Sequence, residues 1–126
     1  MSNYTNTSTL KILVCGGRDY SDRQKLNKTL DDIIKFYKNK SYCIIQGGAK
    51  GADSLAKDYA FENGIPCLTI DAQWHFYGQK AGSLRNKWML QFGVPDILVA
   101  FKGGFGTKNM IDLANLAQIP VYNESK

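Results

Sequence analysis

The sequence has few of the residues that bind transition metals. It contains one histidine, His75, and three cysteines, Cys15, Cys43 and Cys67, with no Cys-x-x-Cys pair. A zinc site takes about four nitrogen or sulfur ligands, and this set does not supply them. The cysteine count is odd and each cysteine lies in an apolar segment, which predicts reduced thiols buried in strands rather than a disulfide framework. Long hydrophobic runs are also missing: none approaches the roughly 18–20 residues that a membrane-spanning helix requires. Residues 1–9 are polar and lack the basic-then-apolar order of a signal peptide, so the expectation is a cytoplasmic protein with no membrane partner. Proline is scarce, and Pro66, Pro95 and Pro120 each stand at the head of an apolar run, where a missing N–H costs least.

The chain has 126 residues, 44% apolar and 21% charged, enough for one globular core but not for two. Sixteen basic against eleven acidic residues give a net charge of +5, which favours anionic partners. The lysines and arginines are scattered rather than blocked, so charge alone points only weakly to nucleic acid.

Short apolar runs alternate with segments of helical periodicity. Residues 10–15 read as a buried strand ending at Gly16-Gly17. Ser21-Asp22-Arg23-Gln24 has capping-box spacing, and Leu26, Leu30, Ile33, Ile34 and Tyr37 follow at helical intervals. The pattern repeats with a strand over 42–45, a helix from about 52 to 63 that stops at Gly64, and a strand over 66–70. A long connection, 71–82, carries Trp74, His75, Phe76 and Tyr77. A helix over 83–92 stopping at Gly93, a strand over 97–101, a helix with Met110, Leu113, Ala114 and Ala117 on one face, and a short strand over 119–122 complete the chain. The order predicts an α/β fold: a single Rossmann-like domain, 10–122, with a doubly wound, mostly parallel five-stranded sheet and helices on both faces. Residues 1–9 are expected to be a disordered tail and 123–126 a C-terminal tail.

Three of the four strand-to-helix connections begin with Gly-Gly, at 16–17, 47–48 and 103–104. In a parallel sheet these turns share the carboxyl edge, where ligands bind. Glycine lets the backbone approach a ligand, and the unpaired N–H groups of the next helix favour an anion. Gly103-Gly104-Phe105-Gly106-Thr107 is the strongest element, with Thr107 as hydroxyl donor or as N-cap. Gly47-Gly48-Ala49-Lys50-Gly51-Ala52-Asp53 is nearly as specific: Lys50 suits a phosphate, and Asp53 suits a ribose hydroxyl or the helix dipole. Gly16-Gly17-Arg18-Asp19 adds Arg18 as a ligand contact, with an Arg18–Asp19 pair stiffening the loop as the plainer reading. Trp74 is placed over the ligand edge, where an aromatic ring can stack on a base. Trp88 and Met89 read as core or as a subunit interface.

These motifs, together with Ala81-Gly82-Ser83-Leu84-Arg85-Asn86, resemble the YspA-like branch of the SLOG superfamily over about residues 10–122. That superfamily also holds the LONELY GUY phosphoribohydrolases and the Rossmann domain of DprA-type DNA-processing proteins. The resemblance implies a nucleotide or nucleotide-derived ligand at the glycine edge, with Arg85 on its phosphate or leaving sugar and Asn86 beside it. The small size and the resemblance also point to a homo-oligomer. The LONELY GUY loop reads GGxGTxxE, and its glutamate slot is Met110 here. A carboxylate stabilises an oxocarbenium-like transition state or activates water, and a thioether does neither.

Three functions follow in order. The first is a sensor, carrier or sequestering protein that binds a nucleotide-like molecule without turning it over. The second is a nucleoside-monophosphate N-glycosidase or phosphoribohydrolase using Asp19, the best candidate, or Asp53 as catalytic carboxylate together with Arg85, Asp71 being the third acid at that edge. The third is a single-stranded nucleic-acid binder. No cofactor is evident, and magnesium accompanying a polyphosphate would leave no motif.

Overall fold

Apolar segments too short for a helix become strands, and each turns back over the sheet through a helix whose apolar stripe covers it. In the computed structural model, which describes residues 8–72 and 77–125, the elements in chain order are β1 (Thr9–Cys15), α1 (Arg23–Phe36), β2 (Ser41–Gln46), α2 (Ala52–Glu62), β3 (Cys67–Thr69), α3 (Ala81–Gly93), β4 (Ile97–Phe101), α4 (Phe105–Leu116) and β5 (Val121–Glu124). A single 3-10 turn, Gly78–Lys80, leads into α3. The strand order is β3-β2-β1-β4-β5 and every pairing is parallel. The chain winds outward from β1 to β3, then crosses back to β4 and β5. The reversal places a topological switch point between β1 and β4, where the turns after these strands diverge and leave a crevice.

Strand alternation sends side chains into two cores. Ile12, Val14, Ile44, Val99 and Phe101 meet Leu26, Leu30, Ile33, Leu55 and Tyr59 on the α1/α2 face. Leu13, Cys15, Ile45, Leu98 and Ala100 meet Met89, Met110 and Ala114 on the α3/α4 face. Both faces of the central strands are dry, which is why they read as unbroken apolar runs. Each fully buried large side chain, Phe101 among them, is worth about 1.5–3 kcal/mol of transfer free energy. Among the described residues no helix is long and apolar enough to cross a membrane.

Several boundaries differ from the sequence expectation. The sheet is entirely parallel. β1 begins at Thr9, and β5 extends through Glu124, so part of the expected C-terminal tail is strand. α1 is capped by Asp22, whose Oδ1 accepts from Lys25 N at 3.0 Å, rather than by Ser21. α4 starts at Phe105 with Gly104 as its cap, which makes Thr107 a first-turn residue and not the N-cap. Ala117 lies past the end of α4 and is exposed. Gly93 does not stop α3 by a left-handed turn. It is the last helical residue, placed so that a Cβ would come within 3.0 Å of Ile45 Cδ1, and Val94 takes the left-handed conformation at φ 47°. Cys67 is exposed because β3 is an edge strand, so only Cys15 is a fully buried thiol. Residues 1–7, Trp74, His75 and Phe76 lie outside the described residues.

The cap assignment is testable by urea denaturation. Asp22→Ala should cost about 1 kcal/mol, whereas Ser21→Ala should change stability by less than about 0.5 kcal/mol.

Candidate functional site

At the carboxyl edge the three glycine turns are pressed backbone to backbone. Gly17 N donates to Lys102 O at 2.9 Å, while Gly17 O accepts from Tyr20 N and from Ala52 N, both at 3.2 Å. Gly51 has φ +77°, and a Cβ there would collide with Gly17 O. A Cβ on Gly103 would collide with Thr107 Oγ1 and lie 2.7 Å from Gly17 N. These glycines are required by loop packing alone. Gly104 and Gly106 differ, because no atom lies within 4 Å of the positions their Cβ atoms would take.

The helix N-termini also separate. That of α1 is filled by Asp22, and the first N–H of α2 is taken by Gly17 O. In α4 the first intrahelical bond is Lys108 N to Gly104 O at 3.0 Å, and no side chain caps the helix. The N–H groups of residues 105–107 precede that bond, so α4 presents its positive end to the crevice under a glycine cap.

Beneath this turn lies a cavity of about 190 Å³, lined by Cys15, Gly16, Gly17, Arg18, Asp53, Arg85, Asn86, Gly104, Gly106 and Thr107. It adjoins two larger clefts that share Arg18 and Arg85 with it. One, about 560 Å³, runs between the first turns of α3 and α4 past Ser83, Phe105 and Asn109. The other, about 660 Å³, runs toward β3 past Asp19, Gly47, Gly48, Lys50 and Asp71. A fourth cavity, about 610 Å³, lies on the α1 side of the Gly17–Lys102 bond, with Asp19, Tyr20, Ser21, Asp22, Lys25, Gly103 and Glu124 in its wall.

Arg85 is held from two sides: Nη1 donates to Gly47 O at 2.7 Å and Nε to Asn86 Oδ1 at 3.1 Å. A guanidinium has five N–H donors, so these bonds orient it and leave three for the cavity it lines. Asn86, 3% exposed, spans the two helices by donating through Nδ2 to Gly106 O at 3.1 Å and to Asn109 Oδ1 at 2.8 Å. Asp53 is buried beside them. Its Oδ2 accepts from Ala49 N at 3.2 Å. Burial pushes its carboxyl above the usual range, against the opposing pull of the Ala49 and Gly47 N–H groups and of the Arg85 and Arg18 charges. The Cys15 thiol is pushed up to about 12, chiefly by burial and then by the Asp53 charge, so it remains a thiol.

The structure therefore brings Gly16, Gly17, Arg18, Asp53, Arg85, Asn86, Gly104, Gly106 and Thr107 around one cavity. It distributes Gly47, Gly48, Lys50, Asp19 and Asp71 along the β3-side cleft and Phe105 along the α4-side cleft. Gly51 is placed under Gly17, and Gly103 faces the α1-side cavity. Met110, the residue in the glutamate slot, is fully buried in the α3/α4 core. Two residues escaped the sequence reading. Gln46, fully buried, ends β2; its Oε1 accepts from Gly48 N at 2.6 Å and its Nε2 donates to Thr69 Oγ1 at 2.5 Å. The available signal was an amide closing an otherwise apolar strand just before Gly-Gly. Asn109 left no such signal.

Comparison with known proteins agrees with this fold. Residues 10–77 match the model of the YspA, cpYpsA-related SLOG family, and the chain belongs to that family. It is 34% identical over 121 residues to the Gene 61 protein of Mycobacterium phage D29, covering 90% of this chain and 94% of that protein. Among solved structures, DNA processing protein A (DprA) from Streptococcus pneumoniae is similar at a TM-score of 0.67 and 17% identity over 94% of this chain. The chain spans 53% of that structure, and the likeness is one of fold. The expected SLOG resemblance and Rossmann-like fold are thus shown.

The raised Asp53 carboxyl has a thermodynamic consequence. The folded chain binds that proton more tightly than the unfolded chain, whose carboxyl titrates near its ordinary 3.8. The contribution to stability is full below that value and is lost as pH rises through the raised folded one. Asp53→Asn removes the dependence. The unfolding free energy of the variant should gain on that of the wild type over the window that opens as pH rises above 3.8. A difference that stays flat across that window would refute the assignment.

Proposed function

We propose that this domain binds a phosphate-bearing, nucleotide-like small molecule at the switch-point cavity and releases it unchanged. The observation that carries the reading is the convergence of Arg18 and Arg85 on a cavity beneath the glycine-capped N-terminus of α4. Two guanidinium groups and a helix dipole address the same small volume, and Thr107 supplies a hydroxyl at its wall. The adjoining clefts are in the size range of small-molecule sites. Support for binding without turnover comes from Met110. Its slot points into the core, so a carboxylate there would not reach a ligand from this backbone.

A second reading keeps one observation of its own. Asp19 is exposed and borders both the β3-side cleft and the α1-side cavity, next to Arg18. A carboxylate in that place suits N-glycosidic hydrolysis of a nucleoside monophosphate.

The test is to titrate nucleoside 5′-monophosphates while following melting temperature and products by mass spectrometry. Binding without chemistry should add about 2.7 kcal/mol of stability at a hundredfold excess over Kd, with the nucleotide recovered intact. Arg18→Ala should weaken binding at least about tenfold, the worth of a charged hydrogen bond to phosphate. Free base that disappears in Asp19→Asn would instead establish the hydrolase. Affinity confined to oligonucleotides and falling steeply with salt would replace both readings with a single-strand binder.

A further inference from the structure

Phe105 is the first residue of α4 and is 94% exposed, the most open large apolar side chain among the described residues. It belongs to neither core. The other strongly exposed rings, Phe36, Phe61 and Phe92, stand in the last turns of α1, α2 and α3, which lie at the opposite edge of the sheet. Phe105 alone of these projects at the edge where the glycine turns meet. It borders the same cleft as Arg18, Arg85 and Asn109. Its neighbours Gly104 and Gly106 carry no side chains, and the space where their Cβ atoms would stand is open.

The fold has no use for a bare ring there, and water solvates it poorly. A ligand whose anionic end sits on Arg18 and Arg85, and whose other end is flat and aromatic, covers the ring while filling the cleft. Asn109 contributes a polar edge. Its Oδ1 is taken by Asn86 Nδ2, so the group it has to offer a ligand in the cleft is its amide nitrogen, a donor suited to a ring nitrogen or carbonyl. We infer that Phe105 is the platform on which the heterocycle of the bound nucleotide stacks, so that base as well as phosphate determines affinity. This rests on the anion site proposed above and adds a specificity-determining residue to it.

Calorimetric titration with adenosine 5′-monophosphate and with ribose 5-phosphate separates the two parts. The wild-type chain should bind the nucleotide about five- to a hundredfold more tightly than the sugar phosphate, the range of one base–aromatic stack. Phe105→Ala should lose that advantage on the nucleotide and leave the sugar phosphate unchanged. Phe105→Trp should restore it. The ring makes no core contact, so the melting temperature of the free Ala variant should match the wild type. Equal wild-type affinity for the two ligands, or a loss in Phe105→Ala shared by both, would overturn the platform and leave the anion site standing. Failure of both ligands to bind the wild type would overturn the anion site itself, and the platform with it.

Discussion

Gly17 is bonded through both of its backbone groups to other turns. Its N–H reaches Lys102 after β4, and its carbonyl receives the first N–H of α2. The turns after β1, β2 and β4 thereby become one rigid body instead of three independent loops. That single set of bonds decides which helix end is left for a ligand. α2 spends its first N–H on Gly17, α1 spends the N–H of Lys25 on the Asp22 side chain, and the first N–H groups of α4 face the crevice under Gly104. A repeated sequence motif therefore yields three different roles.

The polar groups beneath that scaffold depend on one another. Arg85 is aimed by Gly47 and Asn86, and Asn86 in turn ties the first turn of α3 to α4 through Gly106 and Asn109. Asp53 braces the β2 turn from below, and Gln46 holds the same turn from the strand end. A buried polar network of this kind is stable only when its members are satisfied, and here backbone atoms of Gly47, Gly48, Ala49 and Gly106 share that task with the side chains of Asn109 and Thr69. The cavity is thus shaped before any ligand arrives, which favours affinity by lowering the ordering cost of binding.

Much of this was legible in the sequence because it follows from periodicity. Alternating short apolar runs and helical stripes specify a parallel sheet, and Gly-Gly after three strands locates the edge where the turns meet. Local chemistry was read less well where two neighbours compete for one role. Ser21 and Asp22 are both good caps, and only the backbone path selects Asp22. Gly93 looks like a stop signal, yet it serves close packing on Ile45 while Val94 takes the left-handed turn. Cys67 was expected to be buried because its run is apolar, but strand order puts it on an edge. Gln46 and Asn109 were invisible because their partners lie in other turns and helices, at separations that no local pattern encodes.

The pairing of β1 with β4 joins Ile12 to Ile97 and Cys15 to Ala100. β1, β2 and β3 come from the first part of the chain, whereas half of the cavity wall, Arg85 through Thr107, comes from the second. The long loop closed by that pairing is costly in entropy, which places it among the slow contacts to form. A chain that has folded only its first three strands holds Arg18 and Asp53 but has no second wall to face them. The proposed ligand recognition is consequently a property of the fully closed sheet. Any ligand bound there holds together the two halves of the fold that lie farthest apart along the chain.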